Sequence, residues 1–190
     1  MKRQRLYNFI AAVLCMLLIL IIWLLLAPAD AAACDVRTER QEQLHMDANN
    51  LRAIGFKEDS EEIKALQAAW WAEQEALDIV ARVVQGEAGG CPWMHQLAVA
   101  QVVVNRINSP LFPNTARDVV AAPMQYTPLY LTGFDQTSQQ CYEAAKRALD
   151  GTSGVPTDII WQAEFVQGRE IWWVSHVDTG WYSSTTYFCR

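Results

Sequence analysis

The sequence predicts an α+β fold: a mainly helical body with a small antiparallel sheet in its C-terminal part, preceded by an N-terminal transmembrane helix. Three observations carry this. Phe9 to Ala27 is an uninterrupted apolar run. From Asp59 to Gly151, apolar residues recur at helical spacings between capping and stopping signals. After Pro156 the pattern changes to alternation, as in short strands. Helices followed by strands, without interleaving, give an α+β domain.

Lys2, Arg3 and Arg5 lead into the apolar run, and Asp30 and Asp35 follow it. Its length approaches the about 17–25 residues of a membrane span and exceeds the about 7–15 of a signal-peptide core. The flanking charges predict a single-pass anchor, N-terminus inside and the remainder on the extracytoplasmic side of the cell membrane. Ala31-Ala32-Ala33 before Cys34 also fits signal cleavage, with secretion, or lipidation of Cys34. All three readings export the rest of the chain. The chain therefore divides into 1–29 (basic tip and anchor), 30–58 (a polar stalk of low order) and 59–190 (the folded domain).

Asp59-Ser60-Glu61-Glu62 opens a helix with a cap and first-turn acids. Ile63, Leu66, Trp70 and Leu77 give it an apolar face; a break is expected before Asp78, and Gly89-Gly90 ends it through a left-handed residue. Pro92 starts a second helix, apolar nearly all round from Leu97 to Val104 and therefore central. Thr115 precedes a short helix through Val119-Val120, and Pro123 to Pro128 is a loop. Thr137 or Ser138 caps a helix bearing Cys141, Ala144-Ala145 and Ala148, which Gly151 stops. Strands around Ile159–Phe165, Ile171–Val174 and Ser184–Phe188 read as an antiparallel meander.

A formal charge of −6 and no basic cluster beyond the first residues exclude nucleic acid as a main partner. Eight tryptophans fill core and membrane interface, with one or two available to line a groove. Cys91, Cys141 and Cys189 fall in the domain, and export permits a bridge from Cys91 to Cys141 or Cys189.

The chemistry centres on Gln85-Gly86-Glu87-Ala88-Gly89-Gly90. A carboxylate at a helix C-terminus meets the negative end of the dipole, and partial burial would act in the same direction, toward the protonated form. Such a Glu is suited to general acid catalysis; the plain alternative is a solvated residue in a helix-ending turn.

Gly86-Glu87-Ala88, Ala98-Val99-Ala100 through Val103-Val104-Asn105-Arg106, Phe112-Pro113-Asn114-Thr115, Val119-Val120 and Gln125-Tyr126 occur in the order seen in cell wall hydrolases of the spore-cortex-lytic enzyme type, which residues 77–190 resemble. The resemblance implies a lysozyme-like catalytic domain that cuts peptidoglycan glycan as a lytic transglycosylase. Glu87 matches the family glutamate. Three positions depart: Gly89 stands in place of an arginine, Tyr126 of a phenylalanine, and Thr186 of a histidine.

An ordinary glycosidase needs two carboxylates; Asp118, Asp135, Glu164, Glu170 and Asp178 read as surface residues, so only Glu87 sits in a motif. A lytic transglycosylase needs one acid/base, no metal and no cofactor. Gln125 and Tyr126 are candidates for holding the glycan, and Asn105 and Arg106 for fixing the neighbouring loop. A cysteine peptidase or amidase acting on stem peptides, with Cys91 as nucleophile and His176 as base, is the rival enzyme class. A membrane-anchored domain that binds peptidoglycan without cutting it is the non-enzymatic one. His95 and His176 form no ligand-spaced motif for a metal.

Overall fold

The computed structural model describes residues 36–133, 136–178, 180 and 183–190, with side chains from Glu42 onward. The predicted membrane run, Cys34 and Asp135 lie outside them. Among the described residues no helix is long and apolar enough to cross a membrane.

The stretch expected to be a stalk of low order contains a helix, α1 (Val36–Ala53). It lacks a strong apolar stripe, but side chains one turn apart support it. Gln43 donates to Asp47 at 2.7 Å, His45 meets Asn49 at 3.2 Å, and Arg52 donates to Asn49 at 2.9 Å. Ala48 is buried where α1 packs against the next helix. Small apolar contacts against a neighbour thus replace the intrinsic periodicity that was missing.

That neighbour, α2 (Glu61–Ala88), is capped by Ser60, whose Oγ accepts from the Ile63 amide at 3.4 Å. The expected break before Asp78 does not occur, and the helix runs unbroken for 28 residues. Neither glycine nor proline interrupts it before Gly86, and Asp78 is accommodated on its surface. There Asp78 accepts from Tyr142 Oη at 3.2 Å and lies 3.9 Å from Arg82, one turn on. Ile79, Val80, Val83 and Val84 turn inward; burying each contributes about 1.5–3 kcal/mol.

Helix α3 (Trp93–Asn108) begins after Pro92 and is buried continuously from His95 to Arg106, as its all-round apolar sequence requires. Helix α4 (Ala116–Ala121) is capped by Thr115, which accepts from the Asp118 amide and donates to its carboxylate at 2.7 Å. A one-turn helix, α5 (Leu129–Thr132), follows the proline-bounded loop and was not expected. Helix α6 (Gln139–Leu149) is capped by Ser138 and lays Cys141, Ala144, Ala145 and Ala148 against α2 and α3.

The sheet comprises β1 (Trp161–Ala163), β2 (Ile171–Asp178) and β3 (Ser183–Cys189), all antiparallel. Its order is β1-β3-β2, not the expected meander. The chain leaving β1 pairs instead at the sheet's end, where Arg169 N donates to Arg190 O at 2.8 Å and Arg190 N to Glu170 O at 2.9 Å. The β2–β3 hairpin then places β3 centrally. Phe188, fully buried on β3, joins the sheet to the helical core.

Candidate active site

Glu87 occupies the last turn of α2. The partial burial expected for it is not found; the residue is exposed. Its Oε1 accepts a hydrogen bond from Tyr130 Oη at 2.7 Å, the length of a charge-assisted bond. Tyr130 is buried on α5, and Arg82 pins that turn by donating to the Tyr130 and Leu131 carbonyls at 2.9 and 3.1 Å.

Gly86 makes this contact possible. A Cβ there would lie inside the van der Waals envelope of the Tyr130 ring. A glycine in a helix interior costs roughly 1 kcal/mol relative to alanine; here, in the last turn, the missing side chain leaves room for the tyrosine.

Gly89 has a different reason. Its φ is −58°, so the expected left-handed ending is absent. A Cβ at this position would run into the Gln85 amide, whose Oε1 accepts from the Ser138 amide at 2.9 Å at the start of α6. A long side chain at position 89 would displace that link between α2 and α6. The turn that follows is held by Gln96, which donates to the Cys91 carbonyl at 3.1 Å.

Behind Tyr130 lies Tyr126, with ring centroids 6.4 Å apart. Its hydroxyl is buried without a hydrogen-bond partner among the described residues. Burial above all, with the charge of Glu87 adding and that of Arg106 opposing, pushes its pKa up to about 12. Tyr130 is also pushed up, by burial first, then by its bond to Glu87 and that group's charge. Both therefore keep their protons in the neutral range, and Tyr130 is a donor to Glu87, not a base.

Arg106 stacks its guanidinium 5.2 Å from the centroids of both Tyr126 and Phe112, and its Nε donates to Ile160 O at 2.8 Å. Asn105 donates to the Pro156 and Ile159 carbonyls at 3.0 and 2.8 Å. These two residues hold the segment entering β1.

Between the end of α2, the start of α3 and one face of the sheet lies a cleft of about 170 Å³. Glu87, Cys91 and His95 face it from the helices. Gln162 on β1, Glu164 just after it, and Ser184 and Thr186 on β3 face it from the sheet. A second concavity of about 240 Å³ flanks the 85–91 turn and shares Glu87, Cys91 and Val177 with the first. Glu87 thus stands where two hollows meet.

Neither Gln125 nor Tyr126 lines either hollow. The Tyr126 hydroxyl is turned into the protein, and the ring packs on Arg106. Tyr130 lines neither hollow either; it reaches the site through its hydrogen bond to Glu87. Tyr130 could not be singled out from the sequence because α5 is a single turn without a periodic signature. The sheet wall carried a faint signal, since the alternating stretch expected to be a strand contained both Gln162 and Glu164.

The Cys91–His176 pair of the rival reading is not assembled. His176 is exposed and meets Thr185 Oγ1 at 2.9 Å; it alternates with Ser175 and Val177, whose face meets α3 and the cleft. Burial pushes the Cys91 thiol up, away from the reactive thiolate. His95 is buried, 2.8 Å from Ser175 Oγ, with its ring edge-on to Phe188; burial lowers its pKa and keeps it neutral. The bridge expected from Cys91 to Cys141 or Cys189 is absent, because all three are free thiols. Among the described residues no three His, Cys, Asp or Glu side chains group as metal ligands.

A spore cortex-lytic enzyme of Bacillus subtilis (strain 168) is 40% identical to this chain over 107 residues, covering 56% of the chain and 33% of that protein. Another, from Halalkalibacterium halodurans, is 35% identical over 83 residues, covering 41% and 25% respectively. The chain therefore spans a third or less of these relatives. The crystal structure of the catalytic domain of the Bacillus cereus SleB protein superposes with a TM-score of 0.47 at 25% identity, over 62% of this chain and 91% of that one. The family model described as Cell Wall Hydrolase matches residues 90–187, starting just beyond Glu87 and taking in the whole sheet wall. That match covers more than half of the sequence, and the chain belongs to the cell wall hydrolase family.

Proposed function

We propose that this chain cleaves the glycan strand of peptidoglycan as a lytic transglycosylase, with Glu87 as its acid/base. The observation that carries the reading is the placement of Glu87, exposed at the junction of two hollows and held by Tyr130 Oη at 2.7 Å. The names of the relatives support the substrate class, and the apolar run before the domain supports an extracytoplasmic site of action.

Glu87 protonates the glycosidic oxygen, and the bond from that oxygen to the anomeric carbon breaks. The acetamido oxygen of the same sugar closes on the anomeric carbon, giving a cyclic cation. The sugar's 6-hydroxyl then attacks that carbon, the acetamido bond reopens, and Glu87 takes the hydroxyl proton. The product carries an internal anhydro ring, and no water is consumed. Tyr130 fixes one carboxylate oxygen throughout, which removes rotational freedom from the reacting group.

The test is digestion of purified peptidoglycan with mass analysis of the fragments. Anhydro-muramyl ends that disappear in Glu87→Gln but persist in Cys91→Ser are expected. Cut stem peptides that depend on Cys91 would overturn the reading, as would retained binding with intact glycan.

A further inference from the structure

Glu164 stands on the sheet wall of the cleft and faces the same space as Glu87. It stands one residue beyond the end of β1. Ala163, the last residue of β1, pairs with Tyr187, and Glu164 lines the cleft together with Gln162, Ser184 and Thr186. Ser184 Oγ donates to Glu164 Oε1 at 3.1 Å, and Oε2 has no partner among the described residues.

Glu164 is exposed, as the sequence reading expected and as Glu87 also is; two further features mark its surroundings. The cleft lining contains two carboxylates and no lysine or arginine, so its field favours positive charge. Next to it on the wall, Gln162 Oε1 is buried without a hydrogen-bond partner among the described residues. A buried acceptor in that state is open to a donor from water or from a ligand.

We propose that Glu164 is a second catalytic carboxylate, stabilising the positive charge that develops on the sugar as the glycosidic bond breaks. The proposal rests on glycan cleavage by Glu87. When the acetamido oxygen closes on the anomeric carbon, the ring nitrogen keeps its proton and shares the positive charge. Glu164 accepts a hydrogen bond from that N–H, and Gln162 Oε1 receives a neighbouring sugar donor. Glu164 takes up no proton; the charge vanishes when the 6-hydroxyl attacks and Glu87 recovers its own. Because the interaction strengthens only as charge appears, it raises kcat and leaves KM nearly unchanged.

The experiment compares the native full chain with Glu164→Gln, Glu164→Ala and Ser184→Ala on purified peptidoglycan, recording kcat, KM and products. Folding of each variant is checked by circular dichroism. Glu164→Gln is expected to lose on the order of 100-fold in kcat, the scale of a preorganised charge-stabilising group, with KM changed by less than about threefold. Ser184→Ala falls in the same direction by less. Sodium formate, returning a carboxylate to the vacated space, is expected to restore part of the Glu164→Ala rate. Native kcat in Glu164→Gln, alongside an inactive Glu87→Gln, would refute the role of Glu164 and leave that of Glu87 standing. A loss confined to KM, or a folded Glu164→Ala variant that formate does not rescue, would also overturn it. Intact glycan with the native chain would overturn both together.

Discussion

Tyr130 joins sequence to chemistry at the scale of single residues, because it ties the otherwise exposed Glu87 to the protein. Tyr130→Phe keeps the ring and removes the bond; we expect kcat to fall by about tenfold, equivalent to about 1.4 kcal/mol, with an unchanged melting temperature. Gly86→Ala acts on the same contact from the other side. Its Cβ collides with the Tyr130 ring, and a displaced general acid can cost about 100-fold. A slow but well-folded Gly86→Ala variant is the expected outcome; native activity would show that the tyrosine contact does not position Glu87. The candidacy of Glu87 was legible from its glycine-flanked setting and its neighbours in the sequence. Its partner was not, since a sequence separation of 43 gives no hint of the meeting.

Among elements, α3 organises the domain, and Asn105 and Arg106 are its link to the sheet. Asn105 serves two carbonyls of the 156–159 segment while accepting from Gln101 Nε2 at 2.8 Å. Asn105→Ala strands those groups in a buried place and should cost about 2–4 kcal/mol, read from urea unfolding. Activity of the folded fraction should fall too, because β1 carries the sheet wall. Loss of stability below about 0.5 kcal/mol would mean that water replaces the amide at no cost. Caps and periodicity placed α2, α3, α4 and α6, since local rules governed them: Ser60, Pro92, Thr115 and Ser138 stand at their starts. Local rules failed for α1, where packing of Ala48 against α2 overrides a weak pattern. They failed again for strand order, because alternation locates strands and says nothing of which ones pair.

In the whole molecule the site is a seam between a helical layer and a sheet, with acid on both sides and buried tyrosines behind. Those tyrosines couple the fold to alkaline pH. Tyr126 holds its proton up to about 12 when folded, against about 10 for a free tyrosine. The unfolded chain therefore loses this proton first, and stability is full below about pH 10 and falls as pH rises towards 12. Urea unfolding at pH 9 and pH 11 measures the slope. Tyr126→Phe removes an unpartnered hydroxyl, so it should flatten that slope and add about 1 kcal/mol at neutral pH. An unaltered slope would place the titration elsewhere.

The central claim is that Glu87 breaks glycan without water as a reactant, and it is tested most directly by digesting peptidoglycan in heavy-oxygen water and weighing the fragments. We expect anhydro-muramyl ends without the heavy isotope, formed by the native chain and absent with Glu87→Gln. Reducing ends carrying the isotope, or fragments still formed by Glu87→Gln, would contradict it.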